Sequence, residues 1–230
     1  MTSPSYITAV PIAGYILTAL TAYLLGSIPT GFLVGKARGI DIRTIGSGNI
    51  GATNAFRILG KTAGAFVLLA DVLKGLLAVA VVARFIADWL QLPANGTERE
   101  WLRIIAAFMA VVGHNYTCWL RFKGGKGIAT SAGVLLALVP WSLLIILTVW
   151  IIVFAASRYV SLASISASFT LPFAAWLTGE STTVISITAA MAALAIYKHK
   201  ANIQRLMNGT ENRIGSKTTP VSSTTPKKPS

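Results

Sequence analysis

The sequence predicts an all-α integral membrane protein, a bundle of seven transmembrane helices, from its composition, its apolar runs and the alternating charge of its connections. Of its 230 residues, 54% are hydrophobic and 12% are charged, whereas soluble domains carry about 25% charged residues. Lysine and arginine number 20 against 7 aspartate and glutamate residues. Such an excess is typical of nucleic-acid-binding and of membrane proteins. The apolar runs favour the membrane, so no nucleic-acid partner is expected.

Seven apolar segments are candidates for helices that cross a bilayer, for which about 17–25 residues are needed. Pro29 predicts a kink near the end of the first segment, and Pro140 divides a run that is too long for one span, because proline interrupts helical hydrogen bonding. The predicted spans are 8–35, 63–87, 101–118, 127–139, 140–157, 160–178 and 181–198. We expect residues 1–215 to form one transmembrane domain and the polar tail 216–230 to be disordered.

Every second connection between these segments is basic, and the others are acidic or neutral. Lysine and arginine accumulate in cytoplasmic loops, so we predict an external N-terminus and a cytoplasmic C-terminus. The N-terminus has no basic residues of the kind that open a signal peptide. All the segments rich in glycine, serine, asparagine and histidine then lie on the cytoplasmic side: GSGNIGATNAFR, GHNYTCWLRFKGGKGIAT, SRYVSLAS and KHKANIQRLMNGTE.

The first of these segments, residues 46–57, has the composition of an anion-binding loop. Its glycines leave backbone N–H groups free to surround an anion, and a guanidinium group matches the geometry of phosphate or carboxylate. A hydrophilic loop with helix caps is the alternative interpretation. The candidate ligand-binding residues are Ser47, Asn49, Gly51, Thr53, Asn54 and Arg57.

The second segment places glycines and a lysine directly before the fourth span. A helix N-terminus with nearby glycine N–H groups and a lysine is suited to bind an anion. The alternative is a flexible turn with lysines at the membrane surface. We expect Lys126 to approach the ligand more closely than Lys123. The candidate phosphate-binding residues here are Gly124, Gly125, Lys126 and Gly127.

Histidine and asparagine supply candidates for proton transfer and orientation. His199 and Asn202 lie three residues apart, on one helix face, and can orient a hydroxyl or accept its proton. Anchoring of the last helix at the interface is the alternative. His114, at the end of the third span, is a candidate base, donor or orienting group, or a structural histidine. Further binding candidates on the same side are Ser161 and Arg205.

Three charged residues are predicted to be structural. Asp71 and Lys74 lie three residues apart inside the second span, where an isolated charge costs at least ~2.5 kcal/mol, so we expect them to form a structural pair near the site, with a functional role as the alternative. Glu211 is expected to pair with neighbouring arginines. The two histidines and Cys118 form no metal-ligand cluster and no intrachain disulfide. We therefore expect neither a metal nor a cofactor.

Three of these segments resemble the motifs of the bacterial membrane acyl-phosphate:glycerol-3-phosphate acyltransferases (PlsY-type). The motifs stand here as SGNIGATNAFR, GHNYTCWLRFKGGKGIAT and HKANIQRLMNGTE, and SIPTG and DVLKG are also similar. The resemblance covers about residues 12–215. One departure is visible, because this chain has Tyr116-Thr117 where family members often have Phe-Pro.

The resemblance implies transfer of a fatty acyl group from acyl phosphate to the sn-1 hydroxyl of glycerol 3-phosphate, giving lysophosphatidic acid and phosphate. It implies that the second-motif glycines hold the glycerol 3-phosphate phosphate, that Ser47 and Arg57 are needed for activity, that His199 and Asn202 serve the reaction and that Glu211 supports the structure. It also implies the bacterial cytoplasmic membrane, a site facing the cytoplasm and a soluble acyl-phosphate synthase as a functional neighbour.

Two other classes of protein share some of these features. A transporter or channel for a phosphate-bearing solute would use similar anion-binding loops, but it predicts polar residues through the bundle or an inverted repeat, and spans four to seven are largely apolar. A scaffold whose basic loops only bind anionic lipid gives no role to the glycine and asparagine pattern. Both explain less of the sequence than the acyltransferase does.

Overall fold

The computed structural model describes residues 12–215, which form a bundle of α-helices. The start of the predicted first span and the tail 216–230 lie outside the described residues. A π-helical segment, Ala78–Ala83, joins the fourth helix to the fifth, and a 3₁₀ turn, Cys118–Leu120, follows the sixth. Within the described range the helices are α1 (Ile12–Ser27), α2 (Thr30–Ala37), α3 (Ala52–Leu59), α4 (Lys61–Leu77), α5 (Arg84–Trp89), α6 (Thr97–Asn115), α7 (Ile128–Leu138), α8 (Pro140–Ser157), α9 (Val160–Leu177), α10 (Thr182–Lys198) and α11 (Lys200–Met207).

The helix boundaries follow the predicted segments closely. α8 has the predicted bounds, because Pro140 occupies a position at the start of a helix where its missing N–H costs no hydrogen bond. The helices α7, α9 and α10 agree with their predicted spans to within one residue at each end. α6 differs most, since it begins at Thr97 rather than at 101 and ends at Asn115 rather than at 118.

The predicted break at Pro29 is confirmed. α1 ends at Ser27 and α2 begins at Thr30, so the two residues between them are not helical. The carbonyl of Ile28, left without a helical partner, accepts a hydrogen bond from Lys74 Nζ at 2.8 Å. A charged side chain of α4 therefore stabilises the interruption between α1 and α2.

Four helical stretches among residues 12–215 are long and apolar enough to cross a membrane: Ile12–Ala37, Lys61–Trp89, Pro140–Ser157 and Val160–Leu177. α7 and α10 are apolar but shorter, and α6 carries Glu98 and Glu100 in its first turn. α8 exposes Leu144, Ile151 and Ile152, as expected of a helix that faces lipid. The protein is thus an all-helical, multi-pass membrane protein, and the total of seven spans remains a prediction.

Glycine allows two pairs of helices to approach closely. A Cβ added at Gly26 in α1 would overlap the backbone of Ala110 in α6. A Cβ at Gly133 in α7 would overlap the carbonyl oxygen of Val72 in α4. Between membrane helices, where lipid is as apolar as the protein, such close packing is a main source of association. The contact of α4 with α7 fixes the place where α7 begins.

A second apolar cluster holds the short helix α3 against the end of the bundle. Ala55 and Leu59 of α3 are buried with Ile42, Val67 and Leu120. The ring of Phe56 lies directly against Gly64 in α4, where a Cβ would overlap the ring. With this face of α3 buried, Ala52, Thr53 and Arg57 border a cavity between the helices.

Candidate active site

A cavity of about 390 Å³ is lined by polar residues from loops and helices and by apolar residues from the helices. The polar residues come from all four of the segments predicted to meet on one side. Three predicted residues, Lys74, Gly124 and Gly125, do not line it. The predicted residues that the structure brings together around the cavity are Ser47, Asn49, Gly51, Thr53, Asn54, Arg57, Asp71, His114, Lys126, Gly127, Ser161, His199, Asn202, Arg205 and Glu211.

The loop before α3 is held in shape by Asn54, which differs from its predicted role as a ligand donor. Both hydrogens of its amide are used, because Nδ2 donates to the carbonyls of Ile42 at 3.1 Å and Ile45 at 3.2 Å. Its Oδ1 accepts from the backbone N–H of Ser47 at 3.0 Å. Asn54 is 1% exposed, and a buried loop must satisfy its backbone groups in this way. The residue therefore positions Ser47 at the cavity.

The N-terminus of α3 opens onto the cavity without a side-chain cap. Gly51 is the N-cap residue, its own N–H donates to Asn49 Oδ1 at 2.8 Å, and no side chain caps the first turn of α3. Gly51, Ala52 and Thr53 all line the cavity. The first N–H groups of a helix have no partners within it, and they carry partial positive charge. Arg57, four residues after Thr53, lies on the same face of the helix and adds a full charge.

The glycines of the second motif divide into two groups. Gly124 N–H donates to Asn115 O at 3.2 Å and Gly125 N–H donates to His114 O at 3.0 Å. These carbonyls belong to the last turn of α6, which lacks internal partners for them. The expectation that Gly124 and Gly125 bind phosphate is therefore corrected, since their N–H groups bind the end of α6. A Cβ at either position would overlap His114 or its carbonyl, which explains why both are glycine.

Gly127 lies at the cavity as the N-cap residue of α7. It has φ +79°, in the left-handed region that favours glycine, and a Cβ there would lie 2.7 Å from Asn115 Oδ1. No side chain caps α7, and Ile128 and Ala129 line the cavity. A second helix N-terminus thus faces the same space as that of α3. Lys126 stands beside it, while Lys123 is exposed and outside the cavity.

A chain of hydrogen bonds orients Lys126. Its Nζ donates to Asn202 Oδ1 at 2.5 Å, and Asn202 Nδ2 donates to Glu211 Oε1 at 2.9 Å. Glu211 Oε1 also accepts from Ser161 Oγ at 3.1 Å, and Glu211 Oε2 accepts from Arg205 Nε at 2.7 Å. The predicted pairing of Glu211 with an arginine is confirmed. Glu211 connects three segments that are distant in sequence.

Burial changes the proton affinity of two side chains at this end. Desolvation lowers the pKa of Lys126 to about 8, with Glu211 opposing this and Arg205 and Arg57 adding to it. Desolvation, followed by the charge of Lys126, lowers the pKa of His199 to about 4. At neutral pH, Lys126 is therefore mostly charged and His199 is neutral.

The tautomer of His199 follows from its backbone contact. Its Nδ1 lies 2.8 Å from the carbonyl oxygen of Ala195. A carbonyl can only accept a hydrogen bond, so Nδ1 carries the proton and Nε2 of the neutral ring is an acceptor. His199 marks the junction of α10 and α11, is 3% exposed and lines the cavity with Asn202. In this neutral form His199 can accept a proton at Nε2.

The predicted pair in the second span is confirmed, with Lys74 Nζ 2.8 Å from Asp71 Oδ1. Both side chains are buried. His114 Nδ1 lies 3.7 Å from the same oxygen, and it has no hydrogen-bond partner among residues 12–215. The structure thus puts a carboxylate and an imidazole at the cavity wall. Within that range, no three His, Cys, Asp or Glu residues are grouped to hold a metal ion.

Tyr116 and Thr117, where the resemblance leads one to expect Phe-Pro, make specific contacts. Thr117 Oγ1 donates to Ser27 O at 2.6 Å, and Tyr116 O accepts from Tyr23 Oη at 2.8 Å. Lys198 Nζ lies 4.4 Å from the centre of the Tyr116 ring, a cation–π distance. These contacts tie the loop after α6 to α1 and to the end of α10.

The apolar part of the cavity lies between α4, α7, α8, α9 and α10, and none of its residues was predicted from the sequence. A small-residue stripe on α9, formed by Ser164, Ala167 and Ser168, was the available signal, since small residues at helical spacing leave room beside a helix. Oligomeric packing of the helix would produce the same stripe. The principal apolar lining residues are Leu68, Val72, Leu135, Leu143, Ile146, Leu147, Trp150, Leu171, Met191 and Ala192.

Known proteins are similar to this chain in both sequence and fold. Residues 16–209 match the family described as glycerol-3-phosphate acyltransferase. The chain is 48% identical to the glycerol-3-phosphate acyltransferase of Geotalea daltonii over 197 residues, which are 86% of this chain and 96% of that protein. It is 47% identical to the enzyme of the same name from Thermosynechococcus vestitus over 202 residues, 86% of this chain and 94% of that one.

Two crystal structures of PlsY (YgiH), an integral membrane glycerol 3-phosphate acyltransferase, are similar in fold. The glycerol 3-phosphate form has a TM-score of 0.78 and 38% identity, covering 87% of this chain and 96% of that one. The lysophosphatidic acid form has a TM-score of 0.77 and 37% identity, covering 87% and 95%.

Fold and site together define a helical membrane enzyme whose cavity joins a polar, basic end to an apolar end. The extent of the sequence match then identifies the family. The chain belongs to the glycerol-3-phosphate acyltransferases.

Proposed function

We propose that this protein transfers a fatty acyl group from acyl phosphate to the sn-1 hydroxyl of glycerol 3-phosphate, producing lysophosphatidic acid and phosphate for phospholipid synthesis. One observation carries the proposal: a single cavity has two uncapped helix N-termini with Lys126 and Arg57 at its polar end and only helix side chains at its apolar end. Both substrates bear phosphate, and one bears a fatty chain. A reaction between them needs both environments in one space.

The two helix N-termini provide one subsite for each phosphate. We assign glycerol 3-phosphate to the N-terminus of α7, with Lys126 and Gly127, and the phosphate of the donor to the N-terminus of α3. Ser47, Asn49, Thr53 and Arg57 complete the second subsite, as neutral donors and a guanidinium group. Ser161, Arg205 and Glu211 hold Asn202 and Lys126 in place through the hydrogen bonds described above.

The reaction needs no covalent enzyme intermediate, because acyl phosphate is already activated. The sn-1 oxygen attacks the acyl carbonyl carbon, the bond from that carbon to the phosphate oxygen breaks, and phosphate leaves. The proton of the hydroxyl passes to His199 Nε2 or to a substrate phosphate oxygen. The enzyme contributes positioning and stabilisation of the negative charge that develops on the carbonyl oxygen. An acyl-enzyme trapped by rapid quenching would refute this scheme.

The acyl chain enters from the lipid. Leu68 in α4 and Leu147 in α8 line the cavity and are 39% and 46% exposed, so the cavity wall between these helices borders the membrane. Leu171 and Met191, on the inner side, are 4% and 2% exposed. A transporter would instead carry polar side chains through this inner region.

The membrane arrangement is a further part of the proposal. Seven spans with an external N-terminus put the active site at the cytoplasmic face of the bacterial inner membrane, residues 1–215 form the one domain, and a soluble acyl-phosphate synthase supplies the donor. The basic loops support this orientation.

Single cysteines introduced as Ser3→Cys and Ser223→Cys, in a Cys118→Ser background, test this orientation with a membrane-impermeant thiol reagent. Only Ser3→Cys should react in intact cells, and both should react after lysis.

The activity itself is tested with purified protein in detergent or lipid. Given palmitoyl phosphate and glycerol 3-phosphate, it should release phosphate and form lysophosphatidic acid in equal amounts. Palmitoyl-CoA in place of palmitoyl phosphate should give no product. Turnover with palmitoyl-CoA alone would replace the donor in the proposal, and no acyl transfer from either would overturn it.

A further inference from the structure

The carboxylate of Asp71 uses only one of its two oxygens in contacts with the protein. Lys74 Nζ lies 2.8 Å from Oδ1, Thr30 Oγ1 donates to Oδ1 at 3.4 Å, and His114 Nδ1 lies 3.7 Å from Oδ1. All three contacts thus fall on Oδ1, and the hydrogen bonds among residues 12–215 include none to Oδ2. The burial of a carboxylate oxygen without a hydrogen-bond donor costs free energy. We therefore expect Oδ2 to have a donor when a ligand is bound.

The position of Asp71 indicates what the second oxygen faces. Asp71 lines the cavity, whereas Lys74 and Thr30, which approach Oδ1, do not. The imidazole of His114, 3.7 Å away, packs against Gly125, and Gly127 at the N-terminus of α7 follows two residues later. Asp71, His114 and Gly127 therefore border the same cavity, and His114 lies between the carboxylate and the loop that leads into α7.

Charge limits the group that this oxygen can bind. A carboxylate only accepts hydrogen bonds and repels a phosphate, so its partner on a phosphate-bearing substrate is a hydroxyl. Glu211 is the other carboxylate among the described lining residues, and both of its oxygens already accept hydrogen bonds from Ser161, Asn202 and Arg205. Asp71 is thus the one lining carboxylate with an oxygen free for a ligand among these residues.

We propose that Asp71 Oδ2 accepts a hydrogen bond from the sn-2 hydroxyl of glycerol 3-phosphate and thereby selects a polyol phosphate as acceptor. This inference rests on the proposed function. The phosphate is held at α7, and the sn-1 hydroxyl must be free to attack, which leaves the sn-2 hydroxyl as the donor to Asp71. Lys74, 2.8 Å from Oδ1, holds the carboxylate, while the contact of Thr30 with Oδ1 is longer, at 3.4 Å.

The test compares glycerol 3-phosphate with 3-hydroxypropyl phosphate, which keeps the phosphate and a primary hydroxyl but lacks the sn-2 hydroxyl. The wild-type protein should prefer glycerol 3-phosphate in kcat/KM by about 10- to 100-fold, the range for a hydrogen bond to a charged group. Equal kcat/KM for the two acceptors would overturn the inference without any variant. A wild-type protein inactive on glycerol 3-phosphate would instead overturn the proposed function.

A double variant removes the carboxylate without leaving a buried charge unpaired. Asp71→Leu keeps the shape of the side chain, and Lys74→Gln keeps a donor for the carbonyl of Ile28. In this variant the preference should fall to within about threefold, mainly through loss of kcat/KM for glycerol 3-phosphate. Thr30→Val is the matched control, because it removes only a contact to Oδ1 and should keep the wild-type preference. A folded double variant that retains that preference would refute the role of Asp71.

Discussion

Lys126 shows how burial and charge act together on one side chain. It is surrounded by cationic residues and held by Asn202, and desolvation is the largest cause of its lowered pKa. A bound phosphate offsets both effects, because it supplies the opposite charge that the free site lacks. The lysine is therefore best suited to a ligand that is itself an anion.

The pH dependence of kcat/KM should report Lys126. Its pKa of about 8 means that the side chain is charged below pH 8 and loses its charge as the pH rises. We expect kcat/KM for glycerol 3-phosphate to fall above pH 8, by up to about tenfold per pH unit. The substrate does not cause this fall, since the second pKa of a phosphate monoester is about 6. Lys126→Arg stays charged and should remove the fall, and an unchanged fall in that variant would contradict the assignment.

His199 should affect the chemical step more than binding. Its neutral ring, with Nε2 as an acceptor, suits proton removal from a hydroxyl. His199→Ala should lower kcat by about 10²- to 10⁴-fold, the usual contribution of a general base, while KM for glycerol 3-phosphate changes little. Steady-state kinetics at pH 7 separates the two parameters. A raised KM with normal kcat would make His199 a binding residue, and the proton would then leave to a substrate phosphate.

At the scale of the element, α7 depends on two close contacts. Its first turn needs the left-handed backbone of Gly127, and its middle packs against α4 through Gly133. A change at the second contact, distant from the polar residues, would move the N-terminus of α7, where we propose that glycerol 3-phosphate binds. The helix therefore links packing within the membrane to the geometry of the site.

Gly133→Ala should separate α7 from α4, because its Cβ would overlap the carbonyl of Val72. Overpacking of this kind costs about 1–3 kcal/mol, so thermal unfolding in detergent should begin at a lower temperature. KM for glycerol 3-phosphate should rise as the N-terminus shifts. Leu136→Ala, on the 48% exposed side of the same helix, serves as the control and should change neither measurement. Normal stability and a normal KM in Gly133→Ala would contradict this prediction, because they would show that α7 and α4 accommodate the added methyl group.

At the scale of the whole molecule, the cavity joins a polar, basic region and an apolar region in one space. Its polar end is made by loops and short or terminal parts of helices, and its apolar end by five helices, α4, α7, α8, α9 and α10. In the proposed reaction the bond that breaks is placed where the two meet, since the phosphate of the donor is polar and its acyl chain is not. Long-chain specificity and phosphate binding should therefore be separable by mutation.

Adjacent alanines in α10 offer a matched pair for this test. Ala192 is buried at the apolar end of the cavity, while Ala193 is exposed. Ala192→Trp should lower kcat/KM for palmitoyl phosphate about tenfold or more relative to a short-chain acyl phosphate, because the indole fills space that a long chain needs. Ala193→Trp should act on neither donor. An equal loss for both chain lengths in Ala192→Trp would contradict the assignment of the acyl-binding region.

Features encoded by neighbouring residues were predictable. The helix boundaries, the break at Pro29 and the pairing of Asp71 with Lys74 follow from hydrophobic runs, from proline and from charges one helical turn apart. Glu211 lies near the arginine that it pairs with, so that contact was also accessible from the sequence. Each of these features depends on fewer than about ten consecutive residues or on the regular spacing of residues along a helix.

By itself the sequence determined the helical membrane class, the position of most helices and the set of polar segments that carry the chemistry. Only the tertiary structure decided how the members of that set divide their roles. Gly124, Gly125 and Asn54 bind backbone groups of their own chain, because the end of α6 and the loop before α3 leave carbonyls and N–H groups that must be satisfied. Those partners, like the walls of the apolar region, come from helices far apart in sequence, and no local pattern records which of them meet.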